Sequence, residues 1–305
     1  MIMEKIQDAY LRMGIVHFMA FPELAGGEGP WEETVKQIAL DPFFSAIEIT
    51  HIADEHQRRR VRDICQLASL DIGFGAHPTI LGQGLDLNSL EKDRRDHAVA
   101  KMKELLDEAC FMGAQSFVVL SGKDPGEDKR EAAIQALIVS LSELCDYSRK
   151  QDGPTVIIEA FDCDVDKCCL LGPAALCRKV AEAVSREHDN LGLMVDLSHI
   201  PLLRESPLEA LEPVKEFLAA VHLGNAVLDP NLPGYGDYHP IFGTPGSANG
   251  VPEMVAFLRT LVQIGFLDGK RRPMVSFEIK PMQGQDSLLV IANAKRVMQQ
   301  AWSQI

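Results

Sequence analysis

The sequence predicts a single α/β domain folded as a (β/α)8 barrel, also called a TIM barrel. Short apolar runs alternate with segments of helical length along the whole chain, and we count eight such strand–helix units. A chain of 305 residues is ordinary for one barrel of this kind, and its hydrophobic content of 46% can fill a large core. No linker or shift in composition interrupts the alternation, so we expect one domain over residues 1–305.

The first half of the chain contains four predicted strands, each an apolar run too short for a core helix. They cover residues 14–20, 45–51, 71–77 and 115–120. Three helices are expected after the first three strands: one begins near Pro30, one spans about 54–70, and one runs from about residue 88 to the stop supplied by Gly113. A longer helix at about 127–150 follows the fourth strand.

The second half repeats this pattern, with predicted strands at 155–159, 191–196, 219–222 and 273–279. The remaining helices are expected at about 174–186, from near Pro252 and from near Ser287. The longest interruption, about residues 224–250, is rich in Gly, Pro and Asn. Loops of this length are uncommon in compact domains and are usually functional, so we expect a lid-like loop that covers the site.

Charge and cysteine content restrict the partners of this protein. Lys and Arg number 30 against 44 Asp and Glu, a formal net charge of −14, which repels nucleic acid and anionic membrane surfaces. We therefore expect neither as a partner. The seven cysteines lack regular spacing, and the chain shows no signal peptide or long apolar run. This composition predicts a reducing compartment, the cytoplasm.

Four of the predicted strands deliver one potential metal ligand each, at or near the strand end. The four residues are Glu159, Asp196, His222 and Glu278. In a barrel the C-terminal strand ends meet on one face, where the catalytic residues of such folds lie. One imidazole and three carboxylates suit Mn²⁺, Mg²⁺ or Co²⁺ and tolerate Zn²⁺. The alternative is that these side chains lie apart in surface loops or salt bridges.

Histidines also concentrate at predicted strand ends. Five of them lie there: His17, His51, His77, His199 and His222. A single histidine of this kind is more often a hydrogen-bonded, partly buried ring than a ligand, but five strand ends weaken that explanation. Glu48 and Asp71 are not expected in the site, because Glu48 lies inside a strand and Asp71 at the start of one.

The order of these residues resembles that of the xylose-isomerase-like barrels, the group that contains sugar phosphate isomerases/epimerases and ketose 3-epimerases. The resemblance rests on Glu159, Asp196 with His199 three residues later, His222 and Glu278 on strands five to eight, and it covers essentially the whole chain. It implies that four of them hold a divalent metal, that the two glutamates also move the substrate proton, and that His199 contacts the substrate.

Two features depart from the ketose epimerase pattern. The arginine that often follows the ligand histidine is absent after His222. The element Asp237-Tyr-His239 is similar to one that supplies extra metal ligands in the endonuclease-IV branch, where His77 also matches a ligand position. That branch is disfavoured because strand four ends in Ser-Gly-Lys123, without histidine, and because the chain is acidic.

These departures leave a set of predicted substrate contacts around the metal. We interpret His77, Asp237 and His239 as pocket residues, with room for a second metal. Lys123 and Lys280 each follow a strand end, where an ammonium group could anchor a hydroxyl or carbonyl oxygen of the substrate.

The leading hypothesis is a divalent-metal-dependent isomerase or epimerase of a sugar or sugar derivative, an enzyme of carbohydrate metabolism. The metal, with manganese as first choice, would bind adjacent carbonyl and hydroxyl oxygens and stabilise an enediolate. Glu159 and Glu278 would form the acid/base pair while Asp196 and His222 hold the ion. The expected partner is a small polyhydroxy or keto-sugar substrate, and a homo-oligomer is compatible with the sequence.

Three other readings stay open. The same site could let the enediolate expel a group, giving a lyase or deglycosidase similar to the catalytic subunits of C-glycoside deglycosidases, which would need a smaller partner subunit. A non-catalytic barrel that binds sugars is the second reading. A DNA repair enzyme of the endonuclease-IV type is the most distant.

Overall fold

The computed structural model describes residues 7–305, which form a barrel of eight parallel strands. They are β1 Arg12–Ile15, β2 Ala46–Ile49, β3 Asp71–Gly75, β4 Ser116–Leu120, β5 Thr155–Glu159, β6 Leu191–Asp196, β7 Leu218–Gly224 and β8 Met274–Glu278. Neighbours in the sheet follow chain order, and β8 pairs with β1. A parallel bridge between Val16 and Glu48 joins the β1 and β2 sides. The predicted (β/α)8 barrel is confirmed.

Helices connect the strands around the outside of the barrel. From β1 onwards they are α1 His17–Ala20, α2 Trp31–Ala39, α3 Glu55–Ala68, α4 His77–Gln83, α5 Lys92–Met112, α6 Glu127–Arg149, α7 Ala174–Val184, α8 His199–Leu203, α9 Pro207–Leu211, α10 Val251–Gln263 and α11 Ser287–Trp302. The predicted stop at Gly113 is confirmed, because this glycine adopts φ 73° directly after α5. None of the described helices is long and apolar enough to cross a bilayer.

The strands are buried on both sides, and alternate residues face opposite sides of the sheet. Outward-facing side chains such as Ile158, Val195 and Val221 belong to the large core beneath the helices. Inward-facing side chains form a separate apolar cluster of Val118, Ile157, Met194 and Ala220. Two positions after Ile157, Met194 and Ala220, the strands carry Glu159, Asp196 and His222 in turn. These three side chains therefore also face inward, one layer above the apolar cluster.

Most element boundaries differ from the sequence prediction by one or two residues, and the larger differences lie in the first half of the chain and after β6. Strand one ends at Ile15 instead of reaching Ala20, because the chain turns at Val16 into α1. The helix expected from residue 88 begins at Lys92, and the chain before it already contains the short helix α4. The short helices α8 and α9 were also not predicted, since a few apolar residues in a loop carry no helical period.

The stretch between β7 and α10 carries no helix or strand in the described structure. Its backbone is held by isolated bridges from Val227 to Tyr235 and from Val227 to Ser247. Asn249 fixes its far end, because the Nδ2 atom donates to the carbonyl oxygens of Leu197 and Gly224 at 3.1 and 3.0 Å. The loop is therefore packed on the C-terminal face of the barrel.

Candidate functional site

The four predicted metal ligands converge at the C-terminal end of the barrel. Potential ligand atoms of Glu159, Asp196, His222 and Glu278 all lie within 4.8 Å of one another, and all four residues are buried. The barrel produces this convergence because β5 to β8 are neighbours and each carries its residue at or near its C-terminal end. Asp196 and His222, for example, are direct partners in the β6–β7 register.

His222 occupies the middle of the cluster. Its Nδ1 atom lies 2.7 Å from Oε2 of Glu278 and 3.6 Å from Oε1 of Glu159. Its other nitrogen, Nε2, lies 3.0 Å from Oε1 of Glu48. Nδ1 therefore faces the carboxylate cluster, while Nε2–H donates to a carboxylate behind the ring. This is the arrangement in which a second carboxylate fixes the tautomer and orientation of a metal-binding histidine.

The pKa shifts of the cluster favour the binding of a positive charge. Burial lowers the pKa of His222, but the carboxylates around it outweigh burial and raise that pKa well above its ordinary value. Burial also raises the pKa of Asp196, to about 7, although nearby imidazoles oppose this. Its Oδ1 atom accepts from the Ser198 N–H at 2.6 Å, and its Oδ2 atom finds no hydrogen-bond partner in the described residues.

The donor set fits a divalent cation. Both carboxylate oxygens of Glu159 are buried and, like Oδ2 of Asp196, lack a hydrogen-bond partner among residues 7–305. Buried carboxylate oxygens without partners cost free energy, and an ion at the point where they meet would satisfy them. Three carboxylates with one imidazole is a hard, oxygen-rich set of the kind that binds Mn²⁺, Mg²⁺ or Zn²⁺.

A second group of polar side chains lies beside the first and shares Asp196 with it. Ligand atoms of Asp196, His199 and His239 also lie within 4.8 Å of one another. Oδ1 of Asp237 is 3.0 Å from Nε2 of His199 and 2.9 Å from Nε2 of His239. Burial lowers the pKa of His199, but the charge of Asp237 raises it to about 10. A carboxylate thus links the two imidazoles.

A cavity of about 300 Å³ opens above these residues. Glu278, Asp237, His239, His77 and Lys280 line it. Aromatic and apolar side chains form the rest of its wall, among them Phe18, Met19, Phe161, Tyr235 and Tyr238. Polar groups at the base and aromatic faces at the sides suit a polyhydroxy ligand, whose hydroxyl groups need partners and whose C–H faces pack on rings.

The structure brings five of the six predicted substrate-binding residues to the site. His77 Nε2 lies 3.0 Å from Oε2 of Glu159, and the Lys280 ammonium lies 4.9 Å from the centre of the Tyr238 ring. His199, Asp237 and His239 form the linked group beside the metal cluster. Lys123 lies outside this group and lines a neighbouring cavity instead.

Two of the strand-end histidines lie outside the site. His17 is fully buried between aromatic rings, with centroids 5.0 Å from Phe21 and 5.3 Å from Trp31. His51 pairs with Glu108, whose Oε2 lies 2.6 Å from the imidazole Nδ1. Both histidines have structural surroundings, which is the ordinary expectation for such residues.

Glu48 is one of two residues near the site that the sequence interpretation missed. It is 2% exposed and projects into the barrel from β2, where Gly73 leaves room for it: a Cβ at Gly73 would lie 2.9 Å from Cγ of Glu48. A charged side chain within a four-residue, otherwise apolar strand was the available signal, because a buried carboxylate requires a partner.

Lys167 was also missed. Its ammonium lines the cavity, 2.9 Å from Asp166 and 3.3 Å from Asp237. The loop that presents it wraps around Asp162, whose carboxylate accepts four backbone N–H groups, from Val165, Asp166, Lys167 and Cys168. The carboxylate of Asp162 is therefore engaged by the loop itself, and the backbone fold that it creates is not visible in the sequence.

Comparisons with known proteins agree with this geometry. The sequence model of a family described as "Xylose isomerase-like TIM barrel" matches residues 34–300. No curated protein matches the sequence.

Among solved structures, a D-tagatose 3-epimerase-like protein superimposes with a TM-score of 0.71 at 18% identity, covering 96% of this chain and 99% of that one. The IOLI protein with a bound zinc atom gives 0.72 at 14% identity, covering 96% and 99%. The 3-keto-D-glucoside 4-epimerase from E. coli gives 0.67 at 13% identity, covering 94% and 98%. At identities this low, the superpositions establish a common fold and no shared activity.

Proposed function

The chain belongs to the family of xylose isomerase-like TIM barrels, and from this premise we propose that it is a divalent-metal-dependent isomerase or epimerase of a sugar or sugar derivative. One observation carries the proposal. Four buried potential ligands converge within 4.8 Å, and three of their carboxylate oxygens accept no well-aligned hydrogen bond from the described residues, although Nε2 of His77 lies 3.0 Å from one of them. The similarity to a D-tagatose 3-epimerase-like protein and to a 3-keto-D-glucoside 4-epimerase supports a sugar as substrate.

Glu159, Asp196, His222 and Glu278 would hold the ion, with manganese as first choice and magnesium, cobalt or zinc as alternatives. A bound divalent ion would polarise adjacent carbonyl and hydroxyl oxygens of the substrate and so acidify the C–H bond between them. The zinc atom bound by the IOLI protein supports metal binding by a protein of this fold.

Glu278 and Glu159 are the proposed acid/base pair. Burial opposes ionisation of both, yet the neighbouring imidazoles lower the pKa of each carboxyl, so each is an ionised base at neutral pH. Glu278 lines the cavity and is positioned to remove the substrate proton directly. His77, 3.0 Å from Glu159, would assist proton return on the other side. For an isomerisation, the carboxylate that accepts the proton can return it to the neighbouring carbon. For an epimerisation, the second carboxylate must first take up a proton from solvent and then deliver it to the opposite face of the same carbon.

The remaining polar groups of the cavity would orient the substrate. His199 is held by its Nδ1–H, which donates to the Ala160 carbonyl oxygen at 2.7 Å, so its other nitrogen is directed towards Asp237. Lys280 faces the cavity beside Glu278 and would stabilise negative charge on a substrate oxygen. Lys167 adds a second ammonium group at the wall.

The group of Asp196, His199 and His239 is the proposed place for a second metal, because potential ligand atoms of these three residues lie within 4.8 Å of one another. Asp237 links the two imidazoles, so the group serves either a hydrogen-bonded network or an ion. Metal analysis distinguishes these states, because a second ion raises the stoichiometry above one per chain and is lost in His239→Ala.

We also place the enzyme in the cytoplasm. All seven cysteines are free thiols in the described structure, which is ordinary for proteins of a reducing compartment. Fractionation of cells that produce the protein checks this location.

The experiment that tests the activity is a screen of keto sugars, inososes and 3-oxo-glycosides with Mn²⁺ in deuterium oxide. An epimerase or isomerase exchanges the proton next to the carbonyl group, so product or recovered substrate carries deuterium. Released aglycone instead of a labelled epimer would favour the lyase reading. No label and no aglycone across the panel would reject both enzymatic functions.

A further inference from the structure

A second cavity of about 380 Å³ adjoins the cavity at the metal cluster. The two cavities share Leu81 and Lys167 as lining residues, so they adjoin at these side chains. This side cavity lies on the same C-terminal face of the barrel, between α4 and the loops that follow β4 and β5. A ligand that enters the metal-site cavity can therefore extend into it.

One wall of the side cavity is apolar. Ile80, Leu81, Leu85 and Leu120 form it. Leu81 is 48% exposed, although most large apolar side chains of the barrel are buried. An apolar side chain left at the junction of two cavities offers contact area to a ligand.

The opposite rim carries positive charge. Arg94 and Lys123 line the cavity, and within residues 7–305 neither forms an ion pair with a carboxylate. Asp86 is the carboxylate of this cavity, and burial raises its pKa despite the opposing charge of Arg94. In a chain with 44 acidic against 30 basic residues, two unpaired cations at one rim form a local exception to the overall charge.

The boundary of the side cavity is structurally fixed at Gly122. A Cβ atom at this position would overlap Oδ1 of Asp86, so only glycine lets that carboxylate pack against the end of β4. Oδ1 of Asp86 also accepts the Asn88 N–H at 3.0 Å. The cavity is therefore bounded by packed backbone and is not simply a gap between mobile side chains.

We propose that the side cavity is a second subsite of the active site, and that the substrate is a sugar joined to a second unit with an apolar body and an acidic group. Such a substrate is a glycoside with an acidic aglycone. The sugar part of this inference rests on the proposed function, whereas the subsite does not. The apolar body contacts Leu81 and its neighbours, and the acidic group faces Lys123 and Arg94.

Cavity size supports a substrate of two units. Ligand pockets commonly measure about 300–1,000 Å³, so each compartment alone is at the lower end of that range. The compartment at the metal cluster suits a single sugar ring. A free monosaccharide would leave the side cavity, with its apolar wall and its unpaired cations, without any contact.

The test uses benzoate, which has an apolar ring and one carboxylate, and benzyl alcohol as its neutral analogue. Soaked crystals show where benzoate binds, and ligand-detected NMR titration gives its Kd on the protein as purified. We expect benzoate in the side cavity, bound more tightly than benzyl alcohol. Lys123→Met should weaken benzoate by about two- to five-fold, the range for an exposed ion pair. Lys129→Met, an exposed cation outside both cavities, is the matched control and should change nothing.

A second variant tests the apolar wall. Leu81→Ala should weaken benzoate and benzyl alcohol alike, whereas Leu208→Ala, an equally exposed leucine on α9, should affect neither. Benzoate bound elsewhere, undetectable binding of both probes, or equal benzoate affinity in wild type and Lys123→Met would overturn the subsite. Benzoate binding requires neither metal nor turnover. If benzoate binds in the side cavity but the deuterium experiment finds no activity, the subsite stands and the proposed function fails.

Discussion

His222 and His17 are both buried imidazoles near the end of a barrel strand, yet their surroundings are opposite. His222 has a carboxylate at each nitrogen, Glu278 on one side and Glu48 on the other. Neither nitrogen of His17 has a hydrogen-bond partner in the described residues, and its neighbours are aromatic rings.

Burial acts on both rings in the same direction, because it disfavours the charged form. For His17 burial dominates and lowers the pKa to about 3. For His222 the carboxylates reverse the shift and raise the pKa well above its usual value. Position at a strand end and burial therefore do not make a histidine functional. Carboxylates from other strands distinguish His222 from His17, and the substitutions below test whether they make His222 a metal ligand.

The largest expected effect is that of His222→Ala. Removing the central imidazole should abolish metal retention and reduce turnover to background, and Glu159→Ala and Asp196→Ala should act similarly because each removes a proposed ligand. His17→Phe is the matched control, since it deletes an equally buried imidazole and should keep full metal content. Metal analysis and circular dichroism on purified variants measure both. Wild-type metal content and turnover in His222→Ala would contradict the proposed metal site.

Glu278→Gln should separate metal binding from proton transfer. The amide keeps an oxygen that can bind an ion but loses the basic carboxylate. We expect kcat to fall by about two to four powers of ten, the usual contribution of a general base, while metal content falls less. The ratio of turnover to bound metal, measured beside solvent-deuterium exchange, decides this. Near-normal exchange would show that another residue carries the proton, with Glu159 the next candidate.

Glu48→Gln should produce a smaller effect, because Glu48 acts on the metal only through His222. Loss of a carboxylate that orients a ligand histidine commonly costs about 10- to 100-fold in metal affinity. Competition with a metal chelator measures this change, and ¹⁵N NMR of the histidine ring in the metal-free protein reports whether the pKa of His222 falls, since the charge of Glu48 helps to raise it. An unaltered pKa and metal affinity would make Glu48 a packing residue.

The smallest expected effect is on stability and comes from His17. Its folded pKa of about 3 lies below the unfolded value of 6.5, so between these values the unfolded chain binds more protons and stability falls as pH falls. From pH 7 to 5.5 this contribution should amount to about 1 kcal/mol. Urea unfolding of wild type and His17→Phe measures it. The variant should lose less stability over this interval, and identical pH profiles would show that folding does not lower the pKa of His17.

The fold and the convergence of the four proposed ligands could be predicted from the sequence because both follow from periodicity. Eight alternating units specify the barrel, and a barrel places the ends of neighbouring strands together, whatever the helices outside contain. Glu159, Asp196, His222 and Glu278 each close an apolar run, so their convergence followed from topology alone.

The positions of the residues that were not predicted depend on local backbone details that hydrophobic periodicity does not reveal. Whether Glu48 points into the barrel or towards the helices is decided by a shift of one residue in a four-residue strand. Lys167 reaches the cavity only because the loop coils around Asp162. Lys123 follows a strand end, as predicted, but the direction of its loop carries it to the neighbouring cavity.

The apolar layer of Val118, Ile157, Met194 and Ala220 beneath the site has an electrical consequence. Hydrocarbon side chains polarise little, so this layer acts as an insulator across the floor of the barrel. Field lines from the charges above it are directed towards the open end, where the substrate enters. The electrostatic field of the site is therefore strongest towards the open end of the barrel.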